Sequence, residues 1–489
     1  MRQAYSQQLR LDCQAVPNVK LNLNCRHELI PVLRALQHVY QHAELRDQVL
    51  ALVAQDVNRD SVDDRGRKGL DYWTILVLAA VRLGCGLDYD QLQDLAENHR
   101  VLRQIMGIGD WDEATSFHWS RLRSNVSLVS TETLDQINQL VVAAGHRLVP
   151  DAAEHVRADS FVVETDIHWP SESTLIRDGV RKMIEIGVLL QERLEIGNWR
   201  QQEHLLKKVK DLSLKIERIA SKKGPGYKKR LRKEYETLLE FSGRITTRVR
   251  KLLAAIEEQG LGDDVTVMCH VGNLRMFLQR TEQVRNTARR RVLREEEVPN
   301  EDKLFSMFEP HTQLYKRGKA GEPIQFGRLV LVYEDAAGFI VHHHVMPRDA
   351  QDADVLESQT RELQSRLGGR VKRLSYDRGF HSPTNQKILS ELVDGPCLPK
   401  KGAQQGRRQY EESDEEFRQS RRRHAGVESA IGALQRGNDL ERCRDRGEAG
   451  FGRYVGLGVL GRNLFVLGKH LIAAESPESA AAISKRQAA

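Results

Sequence analysis

Apolar positions recur with a helical period from residue 26 to about residue 150. Leu29, Val32, Leu33 and Leu36 mark one amphipathic helix, and Leu45, Val49, Leu52 and Val53 mark another. Residues 72–83 are apolar almost throughout and predict a buried helix. Residues 88–95 open a further helix with acids in its first turn. Residues 101–109 and 115–123 predict short helices separated by glycine-containing turns. This series suits a helix-turn-helix unit that contacts DNA through Arg121 and Arg123, and it suits a plain all-α domain equally well.

At residue 157 the helical period ends. Residues 157–166 form a β-branched run that holds an acid, Asp159, and closes on another, Asp166. From about 191 to 260 the pattern is helical again, on either side of Gly224-Pro225-Gly226. Leu205, Val209, Leu212 and Ile216 stripe the stretch before that turn, and Leu231, Tyr235, Leu238 and Ile245 the stretch after it, which predicts an antiparallel helical hairpin. Residues 327–334 and 338–345 then read as strands joined by a tight turn. A helix over 352–367, a strand over 371–376 ending at Asp377, a helix over 383–392, a short extended piece from 395 and a helix over 417–434 carrying Glu428 complete the series. The order predicts a mixed α/β domain with a helical insertion. The expected boundaries are a loose arm over 1–25, a helical domain over 26–150, the first part of the α/β domain over 151–190, the insertion over 191–300, the remainder over 301–470 and a tail over 471–489.

Composition adds charge to this outline. The 489 residues are 40% hydrophobic and 29% charged, with a net charge of +7, which favours a polyanionic partner. Residues 201–250 hold fifteen Lys and Arg against six Asp and Glu, so this one segment carries more net charge than the whole chain. It reads as a solvated coiled-coil arm, as a basic arm lying along DNA phosphates, or as both. The six cysteines are scattered without a CxxC pair, so no zinc or disulfide framework is expected and a reducing cytoplasm fits. No apolar run approaches the length of a membrane span, and residues 455–467 predict a buried helix.

The chemistry centres on carboxylates. An acid inside a strand is unfavourable unless a partner or a metal compensates it. Asp159, Asp377 and Glu428 each sit in a defined element, and three carboxylates are hard oxygen ligands suited to Mg²⁺ or Mn²⁺. Two such ions can clamp the attacking and leaving oxygens of an in-line phosphoryl displacement, with no side-chain nucleophile required.

The contexts of these acids resemble those of the DDE transposases of bacterial insertion sequences, the ISNCY-like group in particular. The matching stretches are residues 158–173, 308–312, 317–321, 377–381 and 424–429, and the resemblance spans roughly residues 26–470. It implies an RNase H-like catalytic fold holding two divalent ions, binding of the element's terminal repeats as double-stranded DNA, and metal-dependent cutting and joining by a homodimer or larger assembly. Carried over, Asp159, Asp377 and Glu428 are the catalytic and metal-binding residues. Arg421, His424 and Gln435 stand at the offsets where related enzymes carry a Tyr-Arg-Glu-Lys signature around the glutamate. Asp166 stands where many relatives have asparagine, and it rivals Asp159 as the first acid. An inactive transposase-derived DNA-binding protein and a nuclease without strand transfer are the alternatives.

Other residues have two readings each. Lys400, Lys401, Arg407 and Arg408 contact phosphate or form a solvated basic loop, and Arg421 and Arg422 lie close enough before Glu428 to hold phosphate near the scissile bond. The run His342-His343-His344 looks like a metal tract, but period-two alternation splits it between faces and favours an exposed strand. Trp169 stacks on an unpaired base or belongs to the core.

Overall fold

The computed structural model describes residues 11–59, 69–197, 199, 201–261, 264–316, 324–401 and 414–475. The chain divides into two compact units, residues 1–166 with 328–489, and residues 167–327. It is a mixed α/β protein, as the change of period predicts.

In the first unit seven α-helices precede the first strand among the described residues: α1 (Leu29–Gln41), α2 (Ala43–Val57), α3 (Tyr72–Gly84), α4 (Tyr89–Asn98), α5 (Arg100–Ile105), α6 (Trp119–Val126) and α7 (Thr131–Leu148). They do not form a domain of their own. The last helix of the chain, α16 (Gly447–Glu475), returns to pack against α1, α3 and α7 and completes their core. It is longer than the expected 455–467, because its glycines are contact points rather than helix ends. A Cβ on Gly468 would lie 1.9 Å from the Pro31 carbonyl oxygen, so only glycine permits that approach. By length and composition α16 could cross a membrane, yet its most apolar window is 72% buried inside the protein.

The sheet of this unit is built on β1 (His155–Thr165). It runs β4-β3-β1-β5-β6, with β3 (Gln325–Asp335), β4 (Ile340–Val345), β5 (Arg373–Tyr376) and β6 (Gly395–Cys397). Strand β4 is antiparallel to β3, while β5 is parallel to β1 and β6 to β5. The short β7 (Arg442–Cys443) pairs with the far end of β1 at Glu164 and Thr165. Helices α12 (Asp352–Arg366) and α13 (Pro383–Leu392) follow β4 and β5, and α14 (Glu415–His424) and α15 (Val427–Gly437) follow β6. The sheet is covered on both faces, which is why Phe161–Val163 and Leu329–Tyr333 read as apolar runs and are buried throughout. The same cover overturns the expectation of an exposed histidine face. Strand β4 lies against α7, α12 and α16, His342 is buried and stacks on Tyr333, and its Nε2 meets the Gln359 carboxamide oxygen at 2.9 Å.

The described residues of the second unit hold four α-helices, α8 (Glu172–Leu194), α9 (Gln202–Lys222), α10 (Tyr227–Glu258) and α11 (Val265–Ala288). The expected hairpin is α9 with α10. Helix α8 joins them because Ile176, Val180, Met183 and Ile184 share one core with Tyr235, Leu238, Ile245 and Leu274, so the unit starts well before residue 191. It also runs past residue 300, to β2 (Gln313–Tyr315), which pairs antiparallel with the first residues of β3. Trp169 is not a core residue: it is 66% exposed, with its ring edge-on to Phe326.

Candidate active site

Strand pairing brings the two aspartates together. Strands β1 and β5 run parallel, with Arg157 opposite Ser375 and Ala158 opposite Tyr376. One residue further, Asp159 comes beside Asp377, on strands about 4.8 Å apart. Alternation along each strand puts both acids on one face. On the other face the Tyr376 hydroxyl bonds Thr360 of α12 at 2.7 Å, and the Ser160 hydroxyl donates to Asp352 Oδ1 at 2.8 Å. On the acid face the Ser375 hydroxyl lies 3.1 Å from His424 Nδ1, and Arg157 Nη1 donates to the Arg423 carbonyl at 2.9 Å. The acids therefore point to the side occupied by α14 and α15.

Sequence periodicity alone predicts one helix over 417–434. The structure breaks it at Ala425 and Gly426, where the Arg157 guanidinium sits and donates to the Arg423 carbonyl. A Cβ on Gly426 would sit 2.1 Å from Arg157 Nη1, so the guanidinium occupies the space a side chain would need. The break starts α15 afresh and sets Glu428 in its first turn, where the helix dipole favours an anion. Glu428 and Asp377 are both exposed, and Asp159 is half-buried with its Oδ1 accepting from the Ser160 amide at 2.7 Å.

His424 reports on how close the acids come. Burial pushes its imidazole below the ordinary 6.5, while Asp377 and, more weakly, Glu428 pull it back up and Arg157 pushes it down. One side chain thus lies in the field of both acids. Among the described residues no three His, Cys, Asp or Glu side chains are grouped closely enough to hold a metal ion as they stand. The donor set nevertheless fits a hard divalent cation: the acids are oxygen ligands on one face, two of them exposed to solvent.

Two residues of the site escape sequence reasoning. Asp352, in the first turn of α12, holds Ser160, whose amide holds Asp159. Its other oxygen lies 3.0 Å from where a Cβ on Gly379 would be, at the turn that follows Asp377. It holds β1 next to Asp159 from the opposite face and lies against the turn that follows Asp377. Glu334 of β3 takes the Arg157 guanidinium at 2.6 Å; burial raises its carboxyl pKa and Arg157 lowers it. In the sequence the first reads only as a helix-terminal acid and the second as a strand-terminal one. A cavity of about 410 Å³ opens beside this ion pair, lined by His155, Arg373, Ser420 and Arg423 among others.

Asp166 lies elsewhere. It is exposed beyond the end of β1, beside Arg442 of β7, about 23 Å along the strand direction from Asp159 at 3.3 Å per residue. Arg121 and Arg123 lie on α6, with Arg123 exposed. Lys400 and Lys401 follow β6. Arg421 and Arg422 are exposed in the last turn of α14, which also holds Arg423 and His424, in a helix with no buried side chain. Arg407 and Arg408, and the stretch 317–321, lie outside the described residues. Comparison with protein-family models, with curated proteins and with solved structures gives no match.

Proposed function

We propose that the chain is a DDE-type transposase with an RNase H-like core, which cuts and joins DNA at the ends of an insertion sequence. The observation that carries this reading is the placement of Asp159 and Asp377 in register on adjacent parallel strands, under a helix whose first turn holds Glu428. The strand order, with β5 and β6 parallel on one side of β1 and the β3–β4 hairpin on the other, supports the fold assignment by analogy.

Asp159, Asp377 and Glu428 would hold divalent metal, which would supply charge neutralisation and Lewis-acid activation at the scissile phosphate. The rest of the work belongs to the chain. Arg421 and Arg422 hold the phosphate backbone beside Glu428. Arg157 fixes the α14–α15 junction, and Asp352 fixes β1 beside Asp159. In cleavage, water oxygen bonds to phosphorus as the 3′-oxygen leaves. In joining, the released 3′-hydroxyl attacks a target phosphodiester in the same way.

Incubating purified protein with Mg²⁺ and a duplex carrying the element's end tests this. Wild type is expected to nick and join, and Asp377→Ala to lose both by about a thousandfold or more, as removal of several kcal/mol of transition-state stabilisation requires. Cleavage without joining would make it a nuclease, and DNA binding insensitive to Mg²⁺ and to the substitution would make it an inactive DNA-binding protein. In the same assay Asp352→Ala is expected to raise the Mg²⁺ concentration for half-maximal nicking about tenfold, in the range of losses from groups that orient metal ligands. Asp352→Asn, which still accepts from Ser160, is expected to restore it. An unchanged Mg²⁺ profile for the alanine variant would remove the positioning role.

A further inference from the structure

Many cations of the second unit are neutralised by ion pairs along its helices. Along its helices Arg181 and Lys182 pair with Glu185, Arg193 with Asp264, Arg244 with Glu240, Arg250 with Glu282, Arg275 with Glu257, Arg290 with Glu296 and Arg291 with Glu172. At the tip of the α9–α10 hairpin the pattern stops. Residues 222–233 hold Lys222, Lys223, Lys228, Lys229, Arg230, Arg232 and Lys233 and no acid, and all seven are exposed. Arg232 pairs with Glu236; among the described residues no acid lies within ion-pairing distance of the other six.

The tip is a defined turn. Lys223 and Gly226 both adopt the left-handed conformation, with φ +41° and +65°, and the Tyr227 amide donates to the Gly224 carbonyl at 3.0 Å. The cations on the α10 side gain nothing from the helix they begin. Its first turn holds no acid, and positive charge there opposes the helix dipole as well as its neighbours. Helix stability therefore does not account for the cluster, whereas a polyanion would relieve both repulsions at once.

We infer that this hairpin tip is a second DNA-binding surface, which grips the phosphodiester backbone of duplex DNA without reading its sequence. The duplex is favoured over other anions because the cations are displayed on two successive helix ends around a fixed turn, a spread that matches regularly spaced phosphates rather than one small ion. The hairpin stripe Leu205, Val209, Ile216 and Leu238 packs inward, which leaves the cations of the tip on the outer surface, where they are densest. The inference goes beyond the transposase reading and stands independently of whether the carboxylates cut.

The test uses the full-length protein and a duplex of random sequence, with fluorescence anisotropy between about 50 and 250 mM KCl. The variant replaces Lys222, Lys223, Lys228 and Lys229 by Gln, and a second variant replaces the same four by Arg. Because four lysines no longer neutralise phosphates, the slope of log K against log salt is expected to fall by about 3 to 4, and affinity at low salt by at least about tenfold. The arginine variant is expected to bind as wild type does, and neither variant to melt below the wild type. An unchanged slope in the Gln variant would overturn the inference, as would tip-dependent binding of polyglutamate or single-stranded RNA in preference to duplex. The two proposals fail separately. Cleavage that depends on Asp377 with a tip-independent slope removes only the tip, and a tip-dependent slope in a protein that never cuts removes only the transposase.

Discussion

Asp159→Asn is expected to abolish strand cleavage, by about a thousandfold or more, while Asp166→Asn leaves it within about threefold of wild type, the range of ordinary surface substitutions. The two acids lie seven residues apart, one within β1 and one just past its end, and the strand decides between them. Asp159 continues the β1–β5 register to Asp377, on the face where His424 bonds Ser375. Asp166 lies past the end of β1 next to β7, where Arg442 is its charged neighbour. Asparagine at 159 keeps an oxygen that accepts from the Ser160 amide, so the substitution removes the charge and leaves the local hydrogen bond. Nicking of an end-bearing duplex in Mg²⁺ measures the effect, and unchanged duplex affinity checks the fold. If Asp166→Asn silences nicking and Asp159→Asn does not, the first acid has been misplaced.

Local features of this arrangement are legible in the sequence and non-local ones are not. The β-branched run that starts at residue 157 locates β1, and the two apolar stripes around Gly224-Pro225-Gly226 locate α9 and α10, because each depends on neighbours in the chain. The register that sets Asp159 beside Asp377 joins strands more than two hundred residues apart, and no spacing rule contains it. Helix α8 reads as a part of the α/β domain until its partners α9 and α11 are known. Asp352 looks like any acid that a helix dipole favours, until its bond to Ser160 is seen. The break before Glu428 has no proline to announce it, and the guanidinium that sits against Gly426 comes from residue 157, far away in the chain. The histidines of β4 mislead for the opposite reason: their alternation is real, but helices cover both faces of the strand.

Arg157→Ala is expected to cost about 3 kcal/mol of stability and to reduce cleavage as well. Breaking a buried ion pair by removing one partner costs about 3–5 kcal/mol, because the other charge is left uncompensated. The Glu334 side chain is 4% exposed but Arg157 is 28% exposed, and Arg462 also attracts the Glu334 carboxylate, so the lower end of that range applies. The double variant Arg157→Ala/Glu334→Gln is expected to recover most of the loss, since a neutral amide needs no counter-ion. The pH dependence has a definite sign. Burial holds the folded-state pKa of Glu334 above its ordinary 4.5, so ionising this group disfavours the folded state. That penalty is absent below the unfolded pKa and grows as pH rises toward and through the folded value. Without Arg157 the penalty is larger, so the deficit against wild type, measured by denaturant unfolding, is expected to be greatest near neutral pH and to shrink at about pH 5. A deficit that does not change with pH, or that Glu334→Gln fails to reduce, would place the role of Arg157 elsewhere. Cleavage is expected to respond differently, because Arg157 also holds the Arg423 carbonyl at the junction where α15 begins. The double variant regains stability but not that bond, and cleavage that stays low after stability returns would separate the support of the sheet from the aiming of Glu428.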